Sequence, residues 1–277
     1  MHSMSIGKKL RERRFMGRGR AVIVALDHGN AAGIVPGLEN PVEVVKMAAQ
    51  AGADGILVTP GILEQVIEVV DRLAIILRID GCVSTSGSGA MRLFSTVEHA
   101  ATLGADGVVV NATIGALYES DELEKVGRVS TEGRRCGVPV VAEMLTQRMM
   151  ANHMDFSGNG ETLLPPDLHD DVAMACRIGV ELGADAIKTR YPGDVDHFRR
   201  IVHATGRPVL VAGGPFRDTT LKDTLDLVDE VLEAGASGVI FGRSIWQQPD
   251  PAEALRAICA IVHEDATPAE ALEMARL

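Results

Sequence analysis

The chain reads as a (β/α)8 TIM barrel, and three observations predict that class. Eight short runs rich in Val, Ile and Leu alternate with helical patterns from end to end, the order expected of βα units around a parallel sheet. One octapeptide recurs four times, as AGADGILV, LGADGVVV, LGADAIKT and AGASGVIF. The 277 residues are 46% hydrophobic but only 3% aromatic, so the core is aliphatic, as in strands buried on both faces. A barrel runs to about 250 residues as one unit, so a single domain spanning 1–277 is expected.

The elements follow in order. Residues 1–20 carry five basic side chains between Lys8 and Arg14. They are expected to form a helix closing the bottom of the barrel; a nucleic-acid arm is the alternative. The formal charge of -11 opposes nucleic acid as a partner and leaves any anionic ligand dependent on local cations. The predicted strands are Ala21–Asp27, Asp54–Pro60, Ala74–Asp80, Asp106–Ala112, Val138–Leu145, Asp185–Arg190, Arg207–Gly214 and Ser237–Arg243. Each repeat places a Gly at a helix end and an Asp or Ser before the strand. Gly52 and Gly104 are 52 residues apart, as are Gly183 and Gly235. Two similar half-barrels account for that spacing, and so does a favourable αβ-loop sequence used four times.

Between the fifth strand and the next helix lies a long stretch rich in Gly, Asn, Pro and Met, about 146–171. At the C-terminal end of a barrel strand it reads as a lid over the catalytic face, or as an insertion without fixed structure. Cys82, Cys136, Cys176 and Cys259 stand singly, so reduced thiols are expected and neither a zinc site nor a disulfide framework is suggested. No run approaches the ~20 apolar residues of a membrane span, and the basic N-terminus lacks a signal peptide's apolar segment. A cytoplasmic location and no membrane partner are the expectation.

The chemistry concentrates at the strand ends. Lys188 stands where the sister segments carry Leu57, Val109 and Ile240, and by alternation it faces the same way as Ala186. A buried lysine must be paired or have its pKa lowered. Shifted towards roughly 7 to 8, it can attack a carbonyl and form a Schiff base; otherwise it is a structural ion pair. Asp27 ends the first strand in ALDHGN, where a carboxylate can move protons or cap a helix, and His28 turns into the loop, where it binds substrate or makes a loop hydrogen bond. Glu143 interrupts the apolar VPVVAEML run. It either neutralises Lys188 or Arg78 or serves as an acid/base of raised pKa. Arg78 and Asp80 share a face and either pair with each other or bind substrate hydroxyls. Gly213 and Gly214 end the seventh strand, and Gly242 and Arg243 the eighth. After those two strands barrels hold phosphate on backbone N–H groups, although turns that merely close a barrel use glycine too.

Together ALDHG, ADAIKTRYPGD, VAGGP and GVIFGRSIWQQPDPAEALRAICAIVHEDATPAEAL resemble the archaeal-type class I aldolases over nearly the whole chain. That family includes a fructose-bisphosphate aldolase, an aminodideoxyheptulosonate synthase and an autoinducer thiolase, and the similarity is closest to the synthase. The resemblance implies a Schiff-base lysine at Lys188, a proton-transferring carboxylate at Asp27, and phosphate-binding turns at Gly213, Gly214, Gly242 and Arg243. It implies a covalent imine with no metal or other cofactor, a phosphorylated ketose and an aldehyde as substrates, and a homo-oligomer, commonly a ten-subunit ring. The expected activity is that of a class I aldolase or transaldolase-like lyase. A non-catalytic phosphosugar-binding barrel and acyl transfer to coenzyme A are the alternatives. Where the aldolase and synthase carry Tyr-Pro-Arg-Gly, with the tyrosine as proton donor, this chain has Leu145, Thr146, Gln147 and Arg148. The usual lysine after Gly-Gly-Pro is Phe216, and the asparagine after Gly-Arg is Ser244. A shifted substrate or a rewired proton path is therefore expected, with Glu143 or His153 standing in for the tyrosine.

Overall fold

The computed structural model describes residues 5–153, 169–214 and 220–275, with only the backbone given for 151–153 and 169. All eight apolar runs are strands: β1 (Ala21–Ala25), β2 (Gly55–Val58), β3 (Ala74–Arg78), β4 (Gly107–Ile114), β5 (Val140–Thr146), β6 (Ala186–Arg190), β7 (Val209–Ala212) and β8 (Gly238–Phe241). They form a closed barrel in which each strand pairs in parallel with its sequence neighbours and β1 pairs with β8. Around it lie α1 (Ile6–Met16), α2 (Pro41–Ala51), α3 (Pro60–Val66), α4 (Val97–Thr102), α5 (Glu119–Cys136), α6 (His169–Glu181), α7 (Val195–Thr205), α8 (Leu221–Glu233) and α9 (Pro251–Glu264). Most of the stretch proposed as a lid, 154–168, lies outside the described residues, as does Phe216.

The repeat has a physical purpose at the bottom of the barrel. Its four glycines, Gly52, Gly104, Gly183 and Gly235, all have φ between 79° and 98°, a left-handed conformation that ends each helix and turns the chain into the strand. The aspartate that follows caps the start of the preceding strand. Asp54 Oδ2 accepts from Val22 N at 2.7 Å, Asp106 Oδ2 from Ile75 N at 2.9 Å, and Asp185 Oδ2 from Val140 N at 2.9 Å. In the fourth copy the backbone closes the seam, Ala21 N donating to Ser237 O at 3.0 Å.

These carboxylates explain the basic helix. Lys8 Nζ lies 2.5 Å from Asp185 and Arg14 Nε 2.8 Å from Asp106, while Arg11 donates to the carbonyls of Ala105 and Gly137. Phe15 enters the barrel and packs with Ala21, Ile23, Ala74, Ile76, Val109 and Leu210. The helix is shorter than the predicted 1–20, because the chain turns at Gly17 and Gly19 has φ 82°.

Alternation along the strands sorts the barrel into two layers. Val22, Val24, Ile56, Val108 and Ala142 pack outwards against the helices. Ile23, Leu57, Ile76, Val109, Val141, Ala186 and Ile240 fill the interior. Two residues further up the same inward faces the chemistry changes from apolar to polar or charged: Ile76 to Arg78, Val109 to Asn111, Val141 to Glu143, and Ala186 to Lys188. The barrel therefore carries an aliphatic floor beneath a buried charged layer at the C-terminal ends of its strands.

Candidate active site

That charged layer is built by strand register. Glu143 of β5 pairs directly with Lys188 of β6, so adjacent parallel strands, about 4.8 Å apart, present both side chains to the same space. Lys188 Nζ lies 2.6 Å from Glu143 Oε1. The two residues are 3% and 2% exposed, so their charges are held by each other and by the groups around them rather than by water.

Arg78 organises the rest. Its Nε donates to Asp27 Oδ2 at 2.8 Å, its Nη1 to Asp80 Oδ1 at 3.2 Å, and its Nη2 to Glu143 Oε2. One planar guanidinium thus reaches three carboxylates arriving from three strand ends, which the fork geometry of arginine allows and a lysine ammonium does not. Asp80 is completed from outside the barrel, where Lys125 Nζ of α5 donates to its Oδ2 at 2.6 Å. Asp27, Asp80 and Glu143 face Arg78, Lys125 and Lys188, giving three formal charges of each sign.

Burial pushes the Asp27 carboxyl up, but Arg78 and Lys188 outweigh it, and its pKa falls below the ordinary value. Asp27 is therefore ionised at neutral pH. The same neighbours hold Arg78 permanently charged: burial opposes its charge, and Glu143, Asp27 and Asp80 more than offset that. The Asp27 side chain does not act as a helix cap. The cavity above these groups is lined by Asp27, His28, Arg78, Asp80, Met91 and Glu143.

His28 joins this centre to the glycine turns. Its Nδ1 lies 3.7 Å from Asp27 Oδ1, and its ring stands edge-on to Trp246 at 5.2 Å. The ring also lies against Gly242, where a Cβ would come within 2.4 Å of His28 Cε1. The turn Arg243–Trp246 is bolted to β1, Trp246 Nε1 donating to Ala25 O at 3.0 Å. Just past β7, a Cβ at Gly213 would meet Ser244 Oγ at 2.4 Å, and one at Gly214 would meet the Arg190 guanidinium at 3.1 Å. The two turns are thus adjacent, need glycine for close approach, and stand beside two buried cations, Arg190 and Arg243.

Burial, followed by the positive fields of Arg243 and Lys188, lowers the His28 pKa to about 4 against the opposing pull of Asp27. The ring is neutral when folded, and between pH 6.5 and 4 the unfolded chain takes up a proton that the folded chain does not. Stability supplied by neutral His28 is complete above pH 6.5 and lost as pH falls towards 4, by about 3 kcal/mol in all. Urea titrations at pH 7 and 4.5 are expected to show a smaller acid loss for His28→Gln than for the wild type. Parallel losses would remove His28 from this role.

Three participants escape sequence reading. Arg190 follows Lys188 by two residues, so alternation could have assigned it to the same face. Asn111, whose N–H donates to Asp80 at 2.8 Å, ends an apolar run without distinguishing chemistry. Lys125 sits in a helix whose charges read as solvated. At the position of the absent tyrosine, Leu145 and Thr146 are buried, and Thr146 Oγ1 caps the helix Gln147–His153 by accepting from Met149 N at 3.2 Å. The His153 side chain lies outside the described residues. Among the described residues no three His, Cys, Asp or Glu side chains are arranged to hold a metal ion, and no helix is long and apolar enough to cross a membrane.

Comparison with known proteins agrees with this geometry. The pattern of the DeoC/LacD family aldolases matches residues 21–248. The chain is 32% identical over 273 residues to 2-amino-3,7-dideoxy-D-threo-hept-6-ulosonate synthase of Halobacterium salinarum, covering 98% of this chain and 97% of that one. It is 31% identical over 269 residues to fructose-bisphosphate aldolase class 1 of Thermoproteus tenax, covering 95% and 97%. Among solved structures it matches an archaeal fructose-1,6-bisphosphate aldolase whose catalytic lysine is covalently bound to the carbinolamine intermediate. That match has a TM-score of 0.80 and 31% identity, covering 93% of this chain and 99% of the other.

Proposed function

The chain belongs to the DeoC/LacD aldolases, and from that premise we propose that it is a Schiff-base class I aldolase acting on a phosphorylated keto sugar through Lys188. The observation that carries the reading is the contact between Lys188 and Glu143. Lys188 is buried at the barrel's C-terminal end with its Nζ 2.6 Å from a carboxylate able to take its proton, which supports a nucleophilic role. Fructose-bisphosphate aldolase is the name of two of those relatives, and in one of them the catalytic lysine carries the carbinolamine.

The steps follow from the residues. Glu143 accepts a proton from the Lys188 ammonium, and the free amine adds to the ketone carbon. The carbinolamine loses water to give an iminium, which draws the electrons of the breaking C–C bond. Cleavage requires loss of the proton on the hydroxyl beyond that bond, and Asp27, ionised and within the field of Lys188, is its acceptor. The aldehyde leaves, the enamine is protonated, and water releases the second product and the free lysine. Glu143 and Asp27 together do the work of the absent tyrosine, and Arg78 fixes both carboxylates in place. The turns at Gly213, Gly214 and Gly242, with Arg243, hold the phosphate on backbone N–H groups and buried charge, and Arg190 adds a second cation. The imine supplies the electron sink without a metal or other cofactor. A cytoplasmic location and assembly into a homo-oligomer belong to the same reading.

Treatment with borohydride in the presence of dihydroxyacetone phosphate or fructose 1,6-bisphosphate is expected to leave a reduced adduct on the peptide containing Lys188, read by mass spectrometry. The same 2.6 Å contact could instead lock Lys188 in a barrel that only binds phosphosugars. Thermal stabilisation by every ketose phosphate tried, with no adduct from any, would establish that alternative.

A further inference from the structure

The helix α5 lies outside the barrel, yet it reaches the site at three points. Lys125 Nζ donates to Asp80 Oδ2 at 2.6 Å and to Met91 O at 2.7 Å. Glu122 accepts from Met91 N at 3.0 Å and from Thr113 N at 2.8 Å. Both backbone groups of Met91, a wall of the cavity, are therefore held by side chains of α5. Lys125 and Glu122 are each buried, although the helix sequence ESDELEKVGR looks solvated throughout.

From Lys125 an unbroken series of alternating charges runs inwards: Lys125 to Asp80, Asp80 to Arg78, Arg78 to Glu143, and Glu143 to Lys188. Each member shares its partner with the next. The division of the Arg78 guanidinium between Asp80 and Glu143 decides how much of the Glu143 charge is left for Lys188. We propose that Lys125 is a positioning residue that, acting through Asp80 and Arg78, sets the proton occupancy of Lys188. The proposal rests on Lys188 being the nucleophile but is tested without requiring turnover.

The direction follows from charge. Without Lys125, Asp80 has only Arg78 to balance it and draws the guanidinium away from Glu143. Glu143 then turns its charge to Lys188 and stabilises the ammonium. Loss of one positive charge from the cluster acts in the same sense. The other groups facing Lys188 are Asp27, with His28 beyond it, Arg190 on the same strand and Arg243 past His28. Lys125 is bordered on its outer side by Arg92, Asp121, Glu124 and Arg128. None of these links Lys125 to Lys188, so Asp80 and Arg78 carry the coupling.

Competitive reductive methylation across pH 5 to 10, followed by peptide mass spectrometry, reads the ionisation of Lys188 whether or not any ketose reacts. In Lys125→Met the Lys188 midpoint is expected to rise by about one unit, a roughly tenfold drop in methylation on the acid side. The double variant Asp80→Asn/Lys125→Met removes one charge of each sign and is expected at or below the wild-type midpoint. It also removes the unpaired carboxylate that could prevent the single variant from folding. An unchanged midpoint in Lys125→Met, or a double variant raised like the single one, overturns the proposal. The borohydride trapping above decides separately whether Lys188 is the nucleophile.

Discussion

Lys188→Met is expected to lose the borohydride-trapped adduct entirely and to lower turnover by on the order of 10⁴-fold or more, the scale of removing a nucleophile elsewhere. Methionine matches the length and volume of the lysine stem, so the barrel interior stays filled. The electrostatic cost is contained because Glu143 keeps its hydrogen bond from Arg78. A loss of about 1–3 kcal/mol is expected, the value of a charge-assisted hydrogen bond, and not the larger penalty of a buried carboxylate left without a cation. Activity and stability therefore part company in this variant: a folded, phosphosugar-binding protein with no covalent chemistry. The measurements are trapping, steady-state kinetics and thermal unfolding on one preparation. A surviving adduct on another lysine, or turnover within tenfold of the wild type, would move the nucleophile elsewhere.

Much of this was legible in the order of residues. The barrel followed from eight aliphatic runs, because parallel strands buried on both faces leave a continuous apolar signature. The lysine stood out because three sister segments fill its place with Leu57, Val109 and Ile240, and all three lie in the interior layer. Glu143 was readable for the same reason, as a charge inside an apolar run, and both partners foreseen for it, Lys188 and Arg78, are present. Lys125 was not readable. Its helix repeats charges at solvent-like spacing, and its burial depends on the loop around Met91 folding over α5, a contact between residues 34 apart in sequence. Arg78 was expected to pair with Asp80, which it does, but its grip on Asp27 and Glu143 spans 51 and 65 residues. No local pattern encodes which carboxylates meet at one guanidinium; barrel closure decides it.

Arg78→Met tests that convergence most severely. The substitution leaves Asp80 with Lys125 and Glu143 with Lys188 but takes from Asp27 the one permanent cation paired with it among the described residues, so a buried carboxylate loses its counter-charge. Breaking a buried ion pair by removing one partner destabilises by about 3–5 kcal/mol, a large share of the ~5–15 kcal/mol that holds a typical domain folded. The pH dependence separates charge from packing. In the wild type, Asp27 has a folded pKa below its unfolded value, so its contribution is complete above the unfolded pKa and is lost as pH falls through the folded one. In the variant the sign reverses. With Arg78 gone, burial, the largest influence on Asp27, raises its carboxyl above the unfolded value, and the penalty is full at pH 7.5 and relieved as protons bind on acidification. Urea unfolding is therefore expected to show a wide gap between wild type and Arg78→Met at pH 7.5 that narrows at pH 5. Arg78→Lys restores charge but only one point of contact where the guanidinium spans three carboxylates, so its gap should lie between the two. A gap independent of pH would mean that the loss comes from missing side-chain volume, and the role of Arg78 as the shared counter-charge of the site would have to be abandoned.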